Sequence, residues 1–172
     1  MSQFFRTRGE IVAFALHPSL EYVLALSKLG VVYIFNIADG DIRGKINVLP
    51  DSRSLVIDPS GLFFAVATAS QTVQLFEVGT GRRVYEFAPD FEKVGCFNFT
   101  RDVCSFVITD ATRNNVKFYT LDPALSTLSR RVLLAIQTNP NFWHQFPINF
   151  KPDAKPEAVA NVFAKSNKLV QT

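Results

Sequence analysis

The sequence predicts an all-β chain, and three observations carry that prediction. The chain has 172 residues and is 48% hydrophobic, enough apolar material for a real core in a domain of this size. Its aromatics are dominated by phenylalanine, 17 residues against one tryptophan, and methionine also occurs once, a mixture that suits strands packed face to face. Most tellingly, one pattern of short apolar runs separated by turns occurs three times along the chain.

Each repeat opens with a strand and a turn. Residues 11–19 recur as 54–61 and, more loosely, as 94–102, with Pro18 and Pro59 spaced by 41 positions. A second apolar run follows each turn, at 22–26, 62–67 and 103–108. A third comes at 32–37, 73–78 and 116–121; Val32 and Val73 are 41 apart, Val73 and Val116 43 apart. Runs this short, bounded by turn residues, are expected of strands buried on both faces. A more polar fourth strand closes each unit, at 42–46 after Ala38-Asp39-Gly40 and at 82–87 after Gly79-Thr80-Gly81. Its third counterpart is expected at 129–134. The outermost strand of such a unit is partly solvated, which accounts for the pairs Arg82-Arg83 and Arg130-Arg131.

Four strands in every 40 or so residues is the blade period of a propeller, and residues 11–135 resemble the WD40 repeat family in period and hydrophobic pattern. Where that family ends its third strand with Trp-Asp, this chain has Phe35-Asn36, Phe76-Glu77 and Tyr119-Thr120. The aromatic is kept and the acid survives only as Glu77. The family's Gly-His before the first strand is absent from all three units. Its turn aspartate is replaced by Leu29 and Ser70, while Asp110 in the third unit lies early, ahead of Arg113-Asn114-Asn115. The resemblance implies a partial WD40-like β-propeller of about three four-stranded blades.

Closed propellers need roughly four to eight blades. The first and last of three blades are therefore expected to leave an apolar face to be covered by further blades of a longer chain, by blades of another polypeptide, or by a self-complementary dimer. The first two are preferred because repeat arrays need neighbours and caps. Residues 1–10 are expected to hold an outer strand of a preceding blade, 11–135 the three blades, and 136–172 a proline-containing arm with a short helix.

In the arm, Asn139-Pro140-Asn141, Pro147, Pro152 and Pro156 interrupt regular structure. Phe142, Trp143, Phe146 and Phe150 are candidate anchors for a protein partner, the alternative being that they pack back on the blades. From Pro156 onward a short helix is expected, with Val159, Val162 and Phe163 on one face that docks on a partner or on a blade.

Several function classes are excluded or set aside. The formal charge of +3 is spread without a run of like charges, short of the footprint nucleic-acid binding leaves. Arg82, Arg83, Arg130 and Arg131 are a candidate basic rim for an acidic partner, with solvated strand residues as the simpler reading. No apolar run approaches the length of a membrane span, and the N-terminus lacks the pattern of a secretory signal. Cys96 and Cys104 are too few for a disulfide scaffold or a four-thiolate site; on one hairpin they are expected as ordinary buried thiols rather than a bridge. His17 and His144 lack metal-ligand spacing, Gly79-Thr80-Gly81 lacks the lysine of a phosphate loop, and Asp58, Asp90 and Asp102 fall in turns.

The expectation is a non-enzymatic scaffold for protein–protein interaction, with no cofactor and no metal, working with other proteins in a multi-subunit assembly. By analogy with the WD40 family that assembly is a cytoskeletal or ciliary one. The alternative is a nucleic-acid-associated subunit of an RNA-containing complex. Either places the protein inside the cell, in the cytoplasm or cytoskeleton, with cilium and nucleus both open.

Overall fold

The computed structural model describes residues 7–90, 93–112, 115–145 and 150. Eleven strands among them form three antiparallel sheets. Sheet 1 runs β1 (Ile11–Leu16), β2 (Tyr22–Ser27), β3 (Val31–Asn36), β4 (Ile42–Asn47) in spatial order. Sheet 2 repeats this with β5 (Ser52–Ile57), β6 (Phe63–Thr68), β7 (Val73–Glu77) and β8 (Arg83–Phe87). Sheet 3 has β9 (Val94–Phe99), β10 (Ser105–Asp110) and β11 (Val116–Thr120). Consecutive strands pair as simple meanders, so each hairpin closes locally.

The repeat extends to irregularities that no hydrophobic pattern encodes. The first pairing of every sheet slips at an equivalent point, between Ile11 and Ala13, Ser52 and Ser54, and opposite Ile108 and Asp110. The turn after each first strand contains one left-handed residue, Leu20 (φ 60), Gly61 (φ 78) and Val103 (φ 53), whose N–H donates to the carbonyl of His17, Asp58 and Thr100 respectively. Only the second of these is glycine; a branched side chain in that conformation is strained by roughly 1 kcal/mol or more.

The sheets stack through their faces, with the first strands β1, β5 and β9 lying side by side. Leu24, Leu26, Val32, Ile34 and Ile46 of sheet 1 meet Leu55, Phe64, Val66 and Phe76 of sheet 2. Ala65, Ala67, Val73 and Leu75 of sheet 2 meet Phe97, Phe99, Phe106 and Ile108 of sheet 3. Sheet 2 is thus buried on both faces, which is why every residue of β6 and β7 is buried and β6 is apolar from Phe63 to Ala67.

The structure departs from expectation at four points. Residues 129–134 are not a fourth strand but lie inside helix α1 (Pro123–Thr138), so sheet 3 has three strands among the described residues. The helix is encoded by Asp122, whose side chain accepts the Ala124 N–H at 2.8 Å as N-cap, by Pro123 in the first turn, and by Leu125, Leu128, Val132 and Ala135 at helical spacing. The region after Leu134 is likewise not an extended arm at its start, since α1 continues to Thr138 and a short helix α2 (Phe142–Gln145) follows. Residues 7–10 carry no strand; the preceding part of that expected strand lies outside the described residues. Finally, neither thiol is buried: Cys96 is exposed and Cys104 intermediate. Cys96 sits beside Thr109, whose Oγ1 accepts its N–H at 2.8 Å, while Cys104 precedes the opposite end of β10.

Candidate interaction surface and its helical cap

The two outer faces of the stack are the first candidate site. Register places Phe14 opposite Ala25 and Leu16 opposite Val23, so these side chains share the face of sheet 1 that points away from sheet 2. Phe14 is 70% exposed and Leu16 55%. On the same face Tyr33 and Phe35 are buried, and the Lys45 ammonium lies 5.8 Å from the Tyr33 ring centre.

The internal repeat says what such residues do. One period on, Phe14 and Leu16 correspond to Leu55 and Ile57, and after a further period to Phe97 and Phe99. Leu55 and Ile57 pack against sheet 1, and Phe97 and Phe99 against sheet 2. Phe35 corresponds in the same way to Phe76 and Tyr119, which also face the preceding sheet. At the other end, Val116 and Phe118 stand 55% and 70% exposed on the far face of sheet 3. Their counterparts Val32 and Val73, and Ile34 and Leu75, are at most 1% exposed between sheets. Both ends therefore present the residue types that are buried wherever a neighbouring sheet exists.

The second feature is a helical cap across the turns that follow the three first strands. Helix α2 places Trp143 edge-on to the His17 ring at 4.9 Å and against Phe142 at 5.2 Å. Val132 and Ala135 of α1 complete that cluster, with Leu62 from the β5–β6 turn packed against it. Ser129 of α1 bonds to the Asp58 carboxylate in the second turn, and Arg130 Nε donates to the Asp102 carbonyl at 3.3 Å in the third. His144 Nδ1 lies 2.9 Å from Glu21 Oε1, tying α2 to the first turn again.

His17 and Asp58 hold equivalent positions before Pro18 and Pro59, and both are buried. Nε2 of His17 donates to the Gly61 carbonyl at 2.9 Å, while its Nδ1 accepts the Ser19 N–H at 3.1 Å. These partners select the neutral tautomer. Burial lowers the His17 pKa to about 4, opposed by the bond to Gly61. Burial pushes the Asp58 carboxyl up, against the bonds it accepts from Ser60, the Phe63 N–H and Ser129.

Gly61 permits the close approach. A Cβ there would lie 2.4 Å from His17 Nε2, and the residue's φ is +78°. Gly61→Ala is therefore expected to lower stability by more than about 1 kcal/mol, read as a fall in melting temperature. Unchanged melting would show that the His17 contact contributes nothing.

Among the anchors expected from sequence, Phe142 and Trp143 are 3% and 6% exposed and spend their surface inside this chain. Phe150 meets Tyr22 edge-on at 4.8 Å and packs on the core between sheets 1 and 2. Phe146, Val159, Val162 and Phe163 lie outside the described residues. The four arginines do not occupy equivalent outer strands, a second correction that follows from α1. Arg82 and Arg83 are at β8, with Arg83 paired to Glu86 at 2.6 Å, whereas Arg130 and Arg131 are on the helix. No group of three or more His, Cys, Asp or Glu side chains suited to a metal occurs among the described residues. Phe14, Leu16, Val116 and Phe118 were not singled out by the sequence, although alignment of the repeats marks each as an interface position.

No family model matches the sequence, and neither does any curated protein. Solved structures do match. One is the structure of U3-55K, a WD40 protein, with a TM-score of 0.53 at 12% identity over 69% of this chain. The fold is that of a partial WD40-like propeller. Sheets 1 and 2 are its complete four-stranded blades and sheet 3 a three-stranded one, with first strands innermost. The chain spans 41% of the length of the U3-55K chain, and at this identity the likeness concerns the fold alone.

Proposed function

We propose that this chain is a non-enzymatic protein-interaction scaffold, an arc of propeller blades that works by being built into a larger assembly. The observation that carries the reading is the exposure of Phe14 and Leu16, whose repeat counterparts Leu55, Ile57, Phe97 and Phe99 all pack on a preceding blade. Two exposed aromatics and their aliphatic neighbours, set on rigid sheets, favour a partner that is itself a sheet face, because only another blade matches the spacing that the first two interfaces repeat. The covering blades belong either to a longer chain or to a partner polypeptide. The fold has nothing specific to a cytoskeletal or ciliary assembly, and the proposal stops at the scaffold.

The test is native mass spectrometry together with light scattering on the chain over a range of concentration. Association through the open faces is expected, and Phe14→Asp with Leu16→Asp is expected to abolish it at that end while changing the unfolding free energy by no more than about 0.5 kcal/mol. A wild-type chain that remains a folded, soluble monomer at high concentration overturns the reading.

A further inference from the structure

Sheet 3 is incomplete in a second way, separate from its open face. Asp110 donates its N–H to the Asn115 carbonyl at 2.9 Å, and Leu121 donates to the Cys104 carbonyl at 2.8 Å. With the period of two of an antiparallel ladder, Lys117 and Tyr119 between those bonds point their backbone groups at β10. Val116, Phe118 and Thr120 consequently turn theirs outward, to an edge that bears no further strand among the described residues. In sheets 1 and 2 that edge is filled by β4 and β8.

The space beside the edge is also shaped for an occupant. Between sheets 1 and 2 the rim is closed from both sides, and Ile46 of β4 is 8% exposed. Between sheets 2 and 3 only β8 is present among the described residues, and Tyr85 is 47% exposed. Tyr85 continues an aromatic row through Phe87 to Tyr119, with ring centres 5.8 Å and 5.3 Å apart. It lines an open cleft with Arg82, Arg83, Asp122 and Leu125. Arg83 is held by Glu86, and Asp122 is engaged with the Ala124 N–H, while Arg82 makes no ion pair among the described residues. The cleft thus offers an aromatic wall, the Asp122 carboxylate at one end and, in Arg82, a guanidinium with no ion-pair partner among the described residues.

The geometry points to strand addition at β11. An extended segment of a partner protein pairs antiparallel with Val116, Phe118 and Thr120, sets an apolar side chain on Tyr85 and Leu125, presents a carboxylate to Arg82, and completes the third blade. Main-chain bonds to the edge supply affinity, and the cleft supplies selectivity. Arg83 is already paired with Glu86, so the charge preference comes from Arg82, which favours a carboxylate on the side of the segment away from Asp122.

The probe is a synthetic peptide copying residues 81–88, the fourth strand of sheet 2, with glutamates in place of its two arginines; the unaltered copy is the charge control. Backbone amide exchange is followed residue by residue in the whole 172-residue chain. Without peptide, Val116, Phe118 and Thr120 should exchange faster than Lys117 and Tyr119. At millimolar peptide the glutamate version should slow those three about tenfold, and the arginine copy clearly less. Phe118→Pro, which deletes the central outward donor, should abolish the slowing at Val116 and Thr120. Phe118→Lys keeps that donor while spoiling the open face, and should retain it, so failure here is distinct from failure of the blade-stacking reading. The proposal is overturned if the unmodified chain shows no slowing, if both peptides act equally, or if the three amides are already as protected as their neighbours. The peptide measurement on the unmodified chain decides the matter even if Phe118→Pro does not fold.

Discussion

Acidification from neutral pH to about pH 4 is expected to cost this fold about 3 kcal/mol through His17 alone. The unfolded chain titrates this histidine at the ordinary value of 6.5, whereas burial brings the folded-state value to about 4. The unfolded state therefore takes up the proton first. The contribution of His17 is complete above pH 6.5 and is lost as pH falls toward the folded value, at about 1.4 kcal/mol per pH unit. Protonation would put a donor on Nδ1 against the Ser19 N–H, a bond that is then lost, with the Ser19 hydroxyl oxygen 2.8 Å away left to accept the new proton. Urea unfolding across this range should show the fall in the wild type and not in His17→Gln. Asp58 acts with the opposite sign: because burial raises its carboxyl above the ordinary 3.8, the folded state binds that proton more readily, and stability gains as pH falls through the raised value. The His17→Gln chain should accordingly show a shallow rise on acidification. Equal pH dependence of the two chains would rule out His17 as the sensitive group.

Trp143→Ala is expected to cost a further 3–5 kcal/mol or so at neutral pH, the usual result of removing a large buried ring. The residue is 6% exposed and stands between Phe142, the α1 residues Val132 and Ala135, and the His17 ring. Its loss leaves a cavity under the cap and admits water to His17. The histidine pKa should then recover toward 6.5, and the acid sensitivity described above should shrink in the same variant. The urea midpoint is the first readout and the His17 titration followed by NMR the second. A stability change within about 0.5 kcal/mol would mean instead that the ring serves a partner, as its position in an aromatic-rich tail suggests.

The strands were readable because each apolar run is short and punctuated: β2, β3, β6, β7 and β10 lie within a residue or two of their expected places. The error at 129–134 has a definite origin. Arg130-Arg131 followed by Val132-Leu133-Leu134 imitates Arg82-Arg83 followed by Val84-Tyr85, and over six residues an apolar run does not separate strand from helix. The discriminating signal lay upstream, in Asp122-Pro123 and in the helical spacing from Leu125 to Ala135. The candidate surface was half legible. Three blades implied two bare faces, but only register showed that Phe14 and Leu16 stand on one of them and Val116 and Phe118 on the other.

Local chemistry along this chain was enough to place the first three strands of each unit to within a residue or two and to show that their turns recur, since turn geometry and hydrophobic alternation act over a few residues. Only the tertiary structure decided that Trp143 is core, that His17 is neutral, that β11 bears no further strand among the described residues, and which of the described phenylalanines remain in water. Those properties belong to contacts between residues 40 or more positions apart or to neighbours beyond the sheet. Burial and hydrogen-bond partnership are set by what lies across a face, and no residue carries that information in its own side chain.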